Sequence, residues 1–145
     1  MTLMIKSLKQ THFSLEKIQK FLIESTPSIK NISKDRYHSV LFTLPRCQEM
    51  FIRVDEKDEI TAMVNVFIEA RITHKGDNIC HAHDLVVKDN DEEIKKEMVN
   101  HISLYAKEKE CKVVIWVTDT ELKTTIGNAP LETSDMKVLK IRLSN

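Results

Sequence analysis

Residues 60–73 set the plan of this chain. Ile60, Ala62, Val64, Val66, Ile68, Ala70 and Ile72 fill every even position, while Thr61, Asn65, Glu69, Arg71 and Thr73 fall on odd ones. Such period-two alternation predicts a long antiparallel strand with one apolar face. The run "EMFIRV" before it, with the charged "DEKDE" between, predicts a hairpin. Beyond the strand, "HKGDN" turns the chain back into "ICHAHDLVV". A helical period takes over at residues 91–109, where Ile94, Met98, Ile102, Tyr105 and Ala106 make one apolar stripe. "KVVIWV" reads as a buried strand and "MKVLKIRL" as the strand that closes the sheet.

The N-terminal third adds three elements. "LMIKSLK" predicts a first strand. "SLEKIQKFLIES" predicts a helix capped by Ser14, with Leu15, Ile18 and Leu22 at helical spacing. "SKDRYHSVLFTL" predicts a second, short helix that ends before Pro45. No repeat, low-complexity tract or linker interrupts the order β-α-α-β-β-β-α-β-loop-β. The expected fold is therefore mixed α/β, one domain over residues 1–145. Its central sheet is mostly antiparallel, with helices on both faces.

Composition narrows the function classes. A chain of 145 residues can bury roughly 70% of its unfolded surface. Its apolar runs are strand-length, so no membrane span is expected. Residues 1–13 offer only a short apolar start broken by Lys6 and Lys9, without a small-residue cleavage site. Cys47, Cys80 and Cys111 are odd in number and lack a CxxC spacing, which fits reduced thiols in a cytoplasmic protein.

Net charge is zero but unevenly spread. Residues 1–54 carry nine Lys/Arg against four Asp/Glu, whereas residues 55–121 carry nine against sixteen. A globally basic nucleic-acid binder is disfavoured, yet the N-terminal third can present a local basic face.

The stretch "MVNVFIEARITHKGDNICHAHDLVV" resembles the GNAT acyltransferase superfamily and is similar, within it, to the small eukaryotic glucosamine-phosphate N-acetyltransferases. Phe67-Ile68-Glu69-Ala70-Arg71 stands for that family's "FIER" strand end. His81 and Asp84-Leu85-Val86-Val87 stand for its "GHIEDVVV" strand. "KECKVVIWV" resembles the family's "GCYKI" strand through Cys111, and the likeness spans about residues 50–120.

The resemblance implies three catalytic requirements. The first is a Gly-rich turn at the start of the long helix, where backbone N–H groups hold the pyrophosphate of acetyl-CoA. The matching positions here are Val86, Val87, Lys88, Asp91, Glu92 and Glu93, within "VVKDNDEEIKKEM". That run has no glycine, and Asp89, Asp91, Glu92 and Glu93 place four acids at the helix start, where a polyanion belongs. The acids are expected to cap the helix themselves. The second is a tyrosine that protonates the departing thiolate. "TELKTTIGNAPL" offers Gly127 for the family glycine, with only Lys123 or Thr124 near the tyrosine's place. The third is a general base on the fourth strand, where His83 replaces a glutamate and Asp84 is kept.

Other chemistry is thinly represented. His81 and His83 share a strand face at a spacing open to metal, but no third ligand is evident, and no metal is expected. Trp116 reads as core. The expected function is a catalytically degenerate acetyltransferase-like protein without cofactor, serving as a binding or regulatory factor for a protein or ribonucleoprotein assembly. The candidate partner face is Lys6, Lys9, Lys17, Lys20, Lys30, Lys34 and Arg36, reaching RNA phosphates or an acidic protein surface. The alternative is an active glucosamine 6-phosphate N-acetyltransferase using acetyl-CoA, with His83 and Asp84 as its catalytic pair. A homodimer is compatible with either.

Overall fold

The computed structural model describes residues 4–11, 13–25, 33–44, 46–118, 122, 125–126 and 129–130. The elements run β1 (Ile5–Ser7), α1 (Leu15–Ser25), α2 (Lys34–Thr43), β2 (Gln48–Val54), β3 (Ile60–Ala70) and β4 (Asn78–Val87). A 3-10 turn (Lys88–Asn90) leads into α3 (Glu92–Glu108) and β5 (Cys111–Val117), and β6 (Thr125–Ile126) pairs with β7 (Ala129–Pro130). β1 to β5 form one sheet in sequence order; the first three pairings are antiparallel and β4–β5 is parallel. This is the mixed α/β fold that the patterning predicts. The expected closing strand "MKVLKIRL" lies outside the described residues.

Helices cover both faces. On one face Met98, Ile102 and Ala106 of α3 pack on Ala62, Val64, Val66, Cys80, Ala82 and Leu85. On the other, Leu15, Ile18 and Phe21 of α1 pack on Ile52, Val54, Ile60 and Met63. Phe21 joins the buried stripe beside Leu22, which is only partly buried. Caps are local and legible: the Lys17 N–H donates to Ser14 Oγ (3.2 Å) and the Arg36 N–H to Ser33 Oγ (3.2 Å).

Three expectations need correction. The alternating face of β3 does not run from Ile60 to Ile72. Arg53 pairs with Ala62 but Val54 pairs with Ile60, so a bulge at Thr61 turns Ile60 to the α1 face. At the other end the strand stops at Ala70, and Ile72 is 95% exposed in a 3-10 turn. β5 is not a buried strand. It is the last strand of the described sheet, and Val113 and Val117 are 47% and 43% exposed. Trp116 is partly buried against the α3-side core. The stripe of α3 holds Lys95 and Val99 among its buried residues, while Ile94 and Tyr105 are only partly buried.

Polar and aromatic contacts tie α3 to β2 and β3 inside the sheet. Arg53 grips Glu97 through Nε (2.6 Å) and Nη2 (3.3 Å) and donates to Thr61 Oγ1 (2.8 Å). Phe51 packs edge-on against His101 and Tyr105. All three cysteines are free thiols, and burial pushes Cys80 up to about 12. No helix among the described residues is long and apolar enough to cross a membrane.

Candidate functional site

The site that the sequence nominates begins where β4 leaves the sheet. Met63 pairs with Val86 and Asn65 with His83, so Asp84 and Leu85 together stand opposite Val64. Asp84 takes a left-handed backbone (φ 55°), which aspartate tolerates better than most residues. The bulge sends Leu85 into the α3-side core and leaves Asp84 exposed. Pairing with β5 ends at His83 opposite Val117, while β4 continues to Val87. The strands therefore part at His83, with Thr118 Oγ1 donating to the Leu85 carbonyl (3.3 Å).

His83 and Asp84 do not form a pair. His83 faces Phe67 (ring centroids 5.3 Å apart) and His81 (6.1 Å), both edge-on. Its Nε2 is buried without a hydrogen-bond partner. His81 lies flat on Phe67 (4.4 Å, 5° between planes), and its Nε2 meets Glu69 Oε2 at 2.7 Å. Arg71 Nε holds the same carboxylate oxygen at 3.0 Å. Arg71 first, and His81 after it, hold the Glu69 carboxyl below the usual carboxylate range. Gln48 donates to Asn65 (2.9 Å), the cross-strand neighbour of His83. Reading by residue type missed Phe67, Glu69 and Asn65. A hairpin centred on His74 would have set Phe67 opposite His81. No group of three metal-ligating residues occurs among the described residues.

At the junction itself Asp89 and Asn90 are both left-handed (φ 53° and 54°). Asp91 is the N-cap of α3. Its carboxylate accepts the N–H groups of Glu93 (2.9 Å) and Ile94 (3.1 Å). Capping by the junction's own acid is thus confirmed, with Asp91 as the acceptor. Glu92 is held by Lys95 Nζ (3.0 Å), an ammonium on a side chain only 2% exposed. Asp89, Asp91, Glu92 and Glu93 are all exposed.

Known structures give this arrangement a context. No protein-family model and no curated protein sequence matches the chain. An aminoglycoside acetyltransferase from an uncultured soil metagenomic sample superposes with TM-score 0.68 at 13% identity, covering 95% of this chain and 99% of its own. A ribosomal-protein-alanine N-acetyltransferase from Brucella melitensis gives 0.66 at 11%, covering 96% of both chains. This chain has the GNAT acetyltransferase fold. The glucosamine-6-phosphate N-acetyltransferase of Arabidopsis thaliana also matches, with TM-score 0.59 at 18% identity over 91% of this chain and 97% of its own. At such identities the likeness is one of fold alone.

Within that fold the remaining sequence candidates scatter. Gly127, Lys123 and Thr124 lie outside the described residues, as does Lys30. Lys6 (3.8 Å) and Lys17 (3.0 Å) both turn to Asp58, and Lys9 to Glu49 (3.5 Å). Lys20, Lys34 and Arg36 are exposed and make no ion pair among the described residues. The basic face is therefore smaller than the sequence count suggests. Lys17 and Lys20 instead meet Lys88 around one cavity.

Proposed function

We propose that this protein keeps the acetyltransferase fold without the acetyl-CoA cradle, and acts as a binding or regulatory factor for a protein or ribonucleoprotein partner. The observation that carries the reading is the Asp91 cap. The Glu93 and Ile94 N–H groups that would meet a pyrophosphate are taken by a carboxylate of the same chain. The residues present do not fit the group in charge either. Each phosphate–carboxylate approach to about 4 Å costs up to about 4 kcal/mol at an effective dielectric near 20. Nor do they fit in shape, because Asp89 and Asn90 carry side chains where a Gly-rich turn is bare. Partner contact falls to Lys20, Lys34 and Arg36 on α1 and α2.

The alternative, an active glucosamine 6-phosphate N-acetyltransferase using acetyl-CoA, draws on His83. Its imidazole stands where β4 and β5 part, and an imidazole is a group able to act as a general base.

Titration calorimetry separates the two. Acetyl-CoA is expected to give no binding heat with the wild-type chain, and low-micromolar binding would overturn the proposal. In the same series, a single-stranded RNA oligonucleotide is expected to bind with a salt slope of about 0.7 per neutralised phosphate. Reversing the charge of Lys20, Lys34 and Arg36 should flatten that slope; an unchanged slope removes this face from the proposal.

A further inference from the structure

The β4–α3 junction has two sides of opposite character. Its acids gather at the start of α3, where Asp91 caps the helix. Lys88, at the end of β4, instead lines a cavity of about 250 Å3 on the α1 side. There α1 contributes Lys17, Lys20 and Glu24 from one helical face, and Glu59 closes the rim from the β2–β3 turn. Phe21 and Ile60, both buried, give the cavity an apolar floor.

The charges around this space are unevenly committed. Lys17 Nζ is held by the Asp58 carboxylate and carbonyl, each at 3.0 Å. Lys88 makes no ion pair among the described residues; the Asp55 carboxyl is lowered chiefly by the Glu59 backbone N–H, with a smaller, longer-range pull from Lys88. Lys20, Glu24 and Glu59 likewise make none. Beside the Asp58-bound Lys17, two further ammonium groups and two carboxylates thus rim the cavity without closing on one another. A bare anion placed there meets both carboxylates as well as both lysines, and a bare cation meets the converse. A molecule carrying both signs satisfies all four.

We propose that this cavity binds a small zwitterion. Its phosphate or carboxylate is taken by Lys20 and Lys88, its ammonium by Glu24 and Glu59, and its hydrocarbon rests on Phe21 and Ile60. The volume lies just below the usual range for ligand pockets, which limits the occupant to about ten non-hydrogen atoms. The site is separate from the α3 helix start, so binding here and loss of acetyl-CoA there are tested independently.

The test is an NMR titration of the 15N-labelled full chain with O-phosphoethanolamine, and with inorganic phosphate and ethanolamine as its two halves. The amide signals of Phe21, Ile60 and Lys88 are expected to move with O-phosphoethanolamine, with half-saturation near about 1 mM. Each half alone should bind at least about tenfold more weakly. The Lys20→Ala/Lys88→Ala double variant should lose the response, and Lys34→Ala should keep it. Glu59→Gln should bring O-phosphoethanolamine and inorganic phosphate towards equal affinity. Absence of shifts at about 10 mM, an equal response to phosphate alone, or a response that survives the double variant overturns the proposal.

Discussion

The two faces of the sheet have been put to different uses. Beneath α3, the side chains of Val64, Val66, Cys80, Ala82, Met98 and Ile102 are almost wholly excluded from solvent and none is charged. On the opposite face, beyond the reach of α1, Asn65, Phe67, His81 and His83 form a half-buried aromatic and polar patch. The α3 face specifies the fold by close packing, and α1 closes a core of its own on part of the other; the patch beyond it holds His83, whose Nε2 has no partner. Burial of the first is what makes the second tolerable, because α3 supplies the stability that a partly satisfied face cannot.

Truncation separates the two faces most visibly. Ile102→Ala should cost about 2–5 kcal/mol, the range for a fully buried aliphatic, measured by urea denaturation. His83→Leu should be near neutral or stabilising by about 1 kcal/mol, because it removes a buried nitrogen that has no partner. If His83→Leu destabilised as much as Ile102→Ala, the two faces would be equivalent and the distinction would fall.

A second experiment sharpens it at the start of α3. Lys95 is the one cation buried in the described core, and Glu92 is its partner (3.0 Å). Glu92→Gln should cost about 1–3 kcal/mol, since the buried ammonium loses its counter-charge. Lys95→Met should be neutral or stabilising, because an apolar side chain of similar length avoids the desolvation cost. The opposite order in thermal melts would mean that Lys95 is held by more than Glu92.

The smallest effect concerns acid. Burial holds the His101 pKa below its ordinary value of 6.5, against a weaker upward pull from Glu108. The folded chain thus resists a proton that the unfolded chain accepts. Its contribution is present above about pH 6.5 and is lost as pH falls towards the folded pKa. His101→Leu should flatten the acid limb of a stability–pH profile while leaving the plateau near pH 8 in place. An unchanged limb would assign acid sensitivity elsewhere.

What could be read from sequence was local. Ser14 and Asp91 cap their helices because a capping side chain needs only the next two or three N–H groups. The even positions of β3 gave the α3 face, since alternation is a property of one strand. The bulges at Thr61 and at Asp84–Leu85 escaped, because a bulge is a mismatch between two strands and leaves no mark on either alone. β5 reads as buried by composition, yet how far it is covered depends on what lies beside it. The charge on "KDNDEEIKKEM" marked the junction as acidic, but only the fold shows that Lys88 belongs to the α1 side of it.

With its pKa at about 12, the Cys80 thiol is almost entirely protonated at neutral pH, and only the thiolate reacts with alkylating reagents. Cys47 is exposed, and Cys111 lies between the two in accessibility. The three sulfurs therefore form a graded set of chemical clocks. Cys47 marks the outer surface, Cys111 the fraying of β5 from β4, and Cys80 the moment the interior strands separate. Pulsed alkylation read by mass would record the order in which this sheet comes apart, using labels the chain already contains.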